Sequence, residues 1–419
     1  MRIVALDVGS SSVRAVAYGE DGIAEPGDAH LNYDTYDPDE LVDACRAVLG
    51  PVGEGDALAL SCFWHSLVAL DEHDRPVTPV LTWRDMDGDP PALDPADYHR
   101  RTGCFLHPSF WPAKLAGLTA ARYVSFADYL LLRLTGELVT SVSMASGSGV
   151  YDPNRLAWDA ETLDAVGADV SQLPPVSDEP VAGAWPALGD GACSNVGSGC
   201  TERGRAAVTI GTSAAARVVY DAPSAEPKPG VFLYRLDARR FCEGGALSDG
   251  GNLHAWLANV LRDAEPTDEP SHGVTFLPFL GGERSLGWNP HRRGLASGLT
   301  FATSAGEIAQ AALEGVAYRL ADVLDVIGGI ESVVATGHAL LVNDAWLQTL
   351  ADVLGRPVEV SGEPEGSARG AAVVALERLG VSVPPAPVGR VVEPRLERFE
   401  IHQAAREVQR GLMRSQEAT

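Results

Sequence analysis

Two short turns, each set between a pair of strand-length apolar runs, constrain this chain more than any other feature. In the first, Ile3 to Leu6 and Val13 to Tyr18 flank Asp7-Val8-Gly9-Ser10-Ser11-Ser12. Such runs around a small polar turn predict a hairpin with Asp7 at the end of a buried strand. Backbone N–H groups and the hydroxyls of Ser10, Ser11 and Ser12 can then face one anion. Phosphate suits that set. Asp7 cannot bind phosphate directly and suits hydrated Mg2+, which prefers oxygen ligands and keeps several waters. In the second turn, Ala206 to Ile210 and Ala214 to Tyr220 flank Gly211-Thr212-Ser213. One hairpin design opening each half predicts a duplicated fold with a nucleotide clasped between the halves.

A chain of 419 residues, 45% hydrophobic, is long enough for two large cores. The expected division is 1–220 and 221–419. A formal net charge of -25 argues against nucleic acid and against an anionic membrane surface as partners. The cysteines, Cys45, Cys62, Cys104, Cys193, Cys200 and Cys242, are scattered with no CxxC pair. That pattern predicts reduced, buried thiols in the cytoplasm and no zinc site. Met1 leads straight into a strand and no apolar run reaches spanning length, so neither a signal peptide nor a membrane segment is expected.

Asp37 to Leu49 reads as a helix with an acidic first turn, and Ser125 to Thr135 as a second, stopped by Gly136. Ala57 to Cys62 is a short buried strand leading to His65-Ser66, and Val80 to Trp83 reads as another leading to Arg84-Asp85. Two strands ending in His-Ser and Arg-Asp offer donors and acceptors on one rim, as a polyhydroxylated ligand requires. His107 and Lys114 follow in an aromatic-rich stretch. In the second half, helices are predicted over 251–262, 305–327, 344–354, 367–379 and 398–415, the last packed on its domain. Asp190 stands before Gly191, and an Asp-Gly pair equally reads as a turn or a helix N-cap.

The order of these motifs resembles the FGGY carbohydrate kinases of the actin-like ATPase superfamily. Asp7 to Arg14 resembles the first phosphate motif and Gly211-Thr212-Ser213 the second. Asp190-Gly191 with Asn195 and Gly197 resembles the segment of the catalytic aspartate. Thr336-Gly337 through Asn343 resembles the adenosine motif, followed by Glu365 to Ala372. Gly250-Gly251, Gly282-Glu283-Arg284-Ser285 and Ala312 to Val316 are further landmarks. Trp64-His65-Ser66-Leu67, Trp83 with Asp85, His107-Pro108 and Ser143 to Gly147 look most like the gluconate kinases.

The resemblance implies an α/β fold of two actin-like, ribonuclease H-like domains, with mixed sheets flanked by helices and a cleft between them. It implies ATP and Mg2+ as cofactors and phosphorylation of a sugar or sugar acid hydroxyl, gluconate first. Asp190 is then the general base and Asp7 the magnesium residue. Gly9, Ser10, Ser11, Ser12, Arg14, Gly211, Thr212, Gly251, Gly337 and Asn343 would hold the nucleotide. His65, Ser66, Arg84, Asp85 and His107 would hold the acceptor, with His65, Arg84 and His107 forming a rim for its carboxylate. A xylulose, ribulose or polyol kinase is the alternative within the family. An inactive sugar- or nucleotide-binding regulator is the alternative outside it, motivated by His338 at the second glycine of the adenosine motif and by a trimmed connection from Gly22 to Asp37. A side chain at His338 either crowds adenine or stacks on it. Homodimerisation is left open.

Overall fold

The structure is a computed structural model describing residues 1–262 and 264–417. The strands of its two large sheets are numbered β1 to β12 in chain order. The first sheet holds β1 (Ile3–Val8), β2 (Ser12–Tyr18), β3 (Ala29–Asn32), β4 (Ala57–Cys62) and β5 (Leu188–Gly189), in the order β3-β2-β1-β4-β5. The second holds β6 (Arg205–Ile210), β7 (Ala214–Asp221), β8 (Phe232–Arg235), β9 (Arg240–Leu247), β10 (Ser332–Thr336), β11 (Val358–Ser361) and β12 (Val388–Val392). Its order is β8-β9-β7-β6-β10-β11-β12.

The duplication is explicit in the pairing. β1 runs antiparallel to β2 and parallel to β4, and β6 runs antiparallel to β7 and parallel to β10. Both hairpins therefore occupy equivalent places, and both turns lie at the edge where the parallel strands end. The chain passes between the sheets after Gly189 and before Arg205. A division at residue 220 is thus corrected: β6 and β7 belong to the second sheet, because β6 pairs with β10 rather than with any strand of the first.

Local chemistry explains the helices. Asp37 caps Pro38–Val52 by accepting from the N–H groups of Asp39 and Glu40, with Pro38 opening the first turn. Ser125 and Asp128 form a capping box for Phe126–Thr135, and Gly136 at φ 84° ends it. Ala305–Ile327 and Asp344–Leu354 form as expected, whereas β12 was not expected: its valines are mostly exposed and Gly389 interrupts them. Val80 to Trp83 is reduced from the expected strand to a single antiparallel bridge between Leu81 and Leu67, followed by a turn at Trp83-Arg84. The Asp85 carboxylate accepts from the Thr82 N–H at 2.5 Å and from the Thr82 hydroxyl at 2.9 Å, closing the backbone on itself.

The helix Gly366–Arg378 comes from the second half yet packs in the core of the first, its Ala368, Ala371, Ala372 and Val374 joining Ile3, Leu6 and Val13. It crosses the helix Asp190–Gly197 so closely that a Cβ on Gly370 would lie 1.9 Å from the Cys193 carbonyl oxygen. The terminal helix Leu396–Glu417 packs on the second core through buried His402, Arg406 and Gln409. All cysteines are buried and free. Among the described residues, no helix is long and apolar enough to cross a membrane.

Candidate active site

Register brings the key carboxylates together. Asp7 pairs with Ser61, Ser61 with Leu188 and Cys62 with Gly189, so Asp7 and Asp190 emerge on one edge of the first sheet. Ligands of open α/β sheets gather at such carboxyl ends of parallel strands. Asp190 is the first residue of the helix Asp190–Gly197 and accepts from the Gly191 N–H at 2.7 Å. Its approach is rigid: Gly189 N–H donates to the Ser143 hydroxyl at 3.0 Å, and a Cβ on Gly189 would strike the Trp64 indole.

Burial pushes the Asp190 carboxyl above the usual range, while the charges of Arg217 and Arg284 and the Gly191 N–H pull it back. The Asp7 carboxyl is pushed up to about 7, chiefly by burial and further by the charge of Asp190, against the Ser61 hydroxyl that donates to it at 2.7 Å. Arg217 is the one cation in strand β7, and it lies so near the helix start that a Cβ on Gly191 would come 2.7 Å from its Cζ.

The acceptor side is built by the insertion between β4 and β5. His65 is buried with φ 69°, a left-handed conformation uncommon outside glycine, and its Nδ1 donates to the Gly147 carbonyl at 2.7 Å. Burial and the charge of Arg284 hold its pKa well below the usual value. His107 is pushed down to about 3 by burial and by Arg284 and Lys114. Both rings are therefore neutral, which corrects their expected role as cations. Lys114 donates to the carbonyls of Pro108 at 2.9 Å and Ser109 at 2.7 Å, and burial lowers it to about 7. Arg84 is exposed and stacks on Trp83 with its Cζ 5.0 Å from the ring centre.

Ser66 and Asp85 are corrected in a different way. The Ser66 hydroxyl is wholly buried and accepts from the Phe126 N–H at 3.1 Å, so it braces a helix start. The Asp85 carboxylate is spent on the Thr82 turn, although its charge still reaches Lys114.

The second sheet supplies the other wall. Gly251 N–H donates to the Gly211 carbonyl at 2.8 Å and Asn252 N–H to the Thr212 carbonyl at 3.0 Å. Gly337 adopts φ 86°, and a Cβ there would lie 2.6 Å from the Ile210 carbonyl. These contacts bring the β6–β7 turn and the starts of Gly251–Val260 and His338–Leu341 to one point, leaving Thr212 exposed. Beside Gly251–Val260 opens a cavity of about 470 Å³ lined by His254, Leu257, Val342 and Asn343, among others. Asn343 accepts from the Trp346 N–H at 2.9 Å and so caps the next helix, and His338 is exposed. In the first hairpin, Gly9 N–H donates to the Ser12 carbonyl at 2.9 Å, Ser10 and Ser12 are half-buried and Ser11 is exposed. Arg14 pairs with Glu365 across the two halves.

Sequence reasoning missed Arg217, Arg284 and Asp249 as site residues. Arg217 could have been found as the one cation in its strand. Arg284 sits in a motif already noted but is brought to His65 only by folding, at 3.4 Å. Asp249 is buried, pushed up to about 7 by that burial, and its Oδ2 has no protein hydrogen-bond partner.

Models for the N-terminal and C-terminal domains of the FGGY family of carbohydrate kinases match residues 113–182 and 206–377. A gluconokinase of Bacillus subtilis is 28% identical over 451 residues, covering 90% of this chain and 88% of its own length. A xylulose kinase of Streptomyces rubiginosus is 33% identical over 379 residues, covering 80% and 77%. The solved ligand-bound xylulose kinase of Lactobacillus acidophilus aligns with a TM-score of 0.87 at 24% identity, over 100% of this chain and 99% of that one. A shared architecture joined to this depth of sequence likeness has one explanation: the chain belongs to the FGGY family of carbohydrate kinases and is an ATP-dependent phosphotransferase of that family.

Proposed function

We propose that this kinase transfers the γ-phosphoryl group of ATP to a hydroxyl of a sugar acid, gluconate first, with Asp190 as general base. The observation that carries the reading is the placement of Asp190 at the sheet edge, buried, raised above its usual range and faced by guanidinium groups. A base of raised pKa still ionised at neutral pH abstracts a hydroxyl proton more effectively than an ordinary carboxylate. The charges of Arg217 and Arg284 offset part of that rise and favour the carboxylate form. The β1–β2 turn, with Gly9, Ser10, Ser11 and Ser12, and the β6–β7 turn, with Gly211 and Thr212, offer N–H and hydroxyl donors to the β- and γ-phosphates. Gly251 and Gly337 allow the backbone to approach the nucleotide, and adenine fits the cavity beside Asn343.

The residues fit Mg2+. Asp7 presents a buried carboxylate whose charge is strained by desolvation and by Asp190, which a cation relieves. Among the described residues no group of three or more metal-ligating side chains occurs, in keeping with an ion held largely by water and phosphate. When bound, the ion supplies charge neutralisation on the transferring phosphates. We place the enzyme in the cytoplasm on its buried, unbridged thiols.

A neutral ketopentose is the second reading, favoured by the likeness to xylulose kinases. ATP consumption across gluconate, xylulose, ribulose and glycerol separates the two. Asp190→Asn tests the base: turnover should fall at least about 100-fold while acceptor binding by calorimetry persists. Loss of binding together with turnover would assign Asp190 to structure instead.

A further inference from the structure

The connection from Gly22 to Asp37, trimmed as it is, grips the first phosphate turn. It runs through β3 (Ala29–Asn32), which pairs antiparallel with the start of β2, Ser12 standing opposite Asn32. Immediately after β3, Tyr33 reaches the β1–β2 turn twice. Its N–H donates to the Ser11 carbonyl at 3.1 Å, and its hydroxyl donates to the Gly9 carbonyl. The Tyr33 ring is half-buried, and burial raises the pKa of its hydroxyl, which therefore keeps the proton it donates.

Peptide geometry turns these bonds into an orientation. A trans peptide is planar and points its N–H away from its C=O. With the Gly9 carbonyl turned to Tyr33, the Ser10 N–H points to the opposite side. The N–H groups of Ser10 and Ser11 take no acceptor among the described residues. Adjacent free N–H groups in a turn form a concavity for an anion. Gly9 carries no side chain that would restrict rotation of its own backbone, so the orientation needs a brace from outside the turn.

The strap that carries Tyr33 is anchored at both ends. On one side β3 holds it to β2. On the other, the Tyr36 carbonyl accepts from the Val80 N–H at 2.7 Å, and Asp37 caps the helix Pro38–Val52. Tyr33 cannot drift without unpairing a strand or uncapping a helix.

We propose that Tyr33 is a positioning residue for the triphosphate: by holding the Gly9 and Ser11 carbonyls it aims the free N–H groups of the turn at the β- and γ-phosphates, and so sets the preference of the enzyme for ATP over AMP. The inference rests on the nucleotide reading above and deepens it. Tyr33 acts through the turn and does not touch the nucleotide.

The test is calorimetric binding of a non-hydrolysable ATP analogue and of AMP, each with Mg2+, to the full-length wild type, Tyr33→Phe and Tyr36→Phe. Phenylalanine at 33 keeps the ring and the main-chain bond to Ser11 and removes only the hydroxyl that holds Gly9. Released, the peptide between Gly9 and Ser10 samples orientations that turn its N–H away, and affinity falls in proportion to the time lost. The ATP analogue should weaken by about 3- to 10-fold, the scale of one neutral hydrogen bond, with KM for ATP rising by the same factor. AMP, which has neither of the phosphates that the turn receives, should bind as before, and KM for the acceptor should not move. Tyr36, exposed on the same strap, is the control, and Tyr36→Phe should leave every one of these values unchanged. Equal losses for the ATP analogue and AMP would assign Tyr33 to the stability of the first half and overturn the proposal. So would an unchanged ATP affinity in Tyr33→Phe, which leaves the nucleotide reading standing. A wild type that binds the two nucleotides equally would refute the phosphate reading of the turn together with the role of Tyr33.

Discussion

Asp7 is a residue whose function and stability oppose each other. Its folded carboxyl titrates near 7, against about 4 in an unfolded chain. Between those values the folded state binds more protons than the unfolded one, so stability falls as pH rises from about 4 to 7. The penalty is complete above pH 7 and absent below pH 4. Asp7→Asn, which keeps an acceptor for Ser61, should therefore raise Tm at pH 8, with the gain shrinking toward pH 5, while abolishing turnover. Melting curves of both proteins at the two pH values check this, and a pH-independent difference would refute it. The same logic applies to the rate. Asp190 and Asp7 both titrate above ordinary carboxylates, so kcat/KM should decline on the acid side well above pH 4, as a pH–rate profile will show.

At the scale of elements, the crossing of Asp190–Gly197 with Gly366–Arg378 positions the base, and glycines permit it. A Cβ on Gly197 would lie 1.9 Å from the Gly366 carbonyl, and one on Gly370 equally close to Cys193. Both neighbours are backbone, which cannot rotate away. Gly370→Ala should destabilise the protein by about 1–3 kcal/mol, read as a lower urea midpoint at constant m, and should also lower kcat by displacing Asp190. Gly50→Ala is the control. Gly50 lies in the helix Pro38–Val52 with nothing within 4 Å of its added Cβ, so the substitution should be neutral or stabilising by up to about 1 kcal/mol. Helix ends were legible from sequence because their determinants are local: Asp37, Ser125 and Gly136 act within one turn. The strand expected at Val80 to Trp83 stops at a single bridge at Leu81 because the Asp85 carboxylate takes the Thr82 N–H, a contact that apolar composition does not reveal.

Across the whole molecule, the two halves are less separate than their repeated topology suggests. One core unites β1, β2 and β4 with Ala215, Phe232 and Tyr234 of the second sheet and with the helix Gly366–Arg378. Arg14 and Glu365 add an ion pair between the halves. Unfolding should accordingly be a single cooperative transition, with calorimetric and van't Hoff enthalpies in agreement. Two resolved transitions would show that the shared core is only lightly coupled.

The sequence by itself determined the two hairpins, the duplicated architecture and the positions of Asp7, Asp190 and Thr212, because each is carried by a short run of strand, turn and strand. It also identified the family. Which side chains meet across the cleft was decided only by tertiary structure. Arg284 reaches His65 over 219 positions of chain, and Arg217 meets Asp190 only where β7 packs beside the helix that follows β5. The charge states of His65, His107 and Lys114 were equally out of reach, since desolvation sets them and burial is a property of the folded whole.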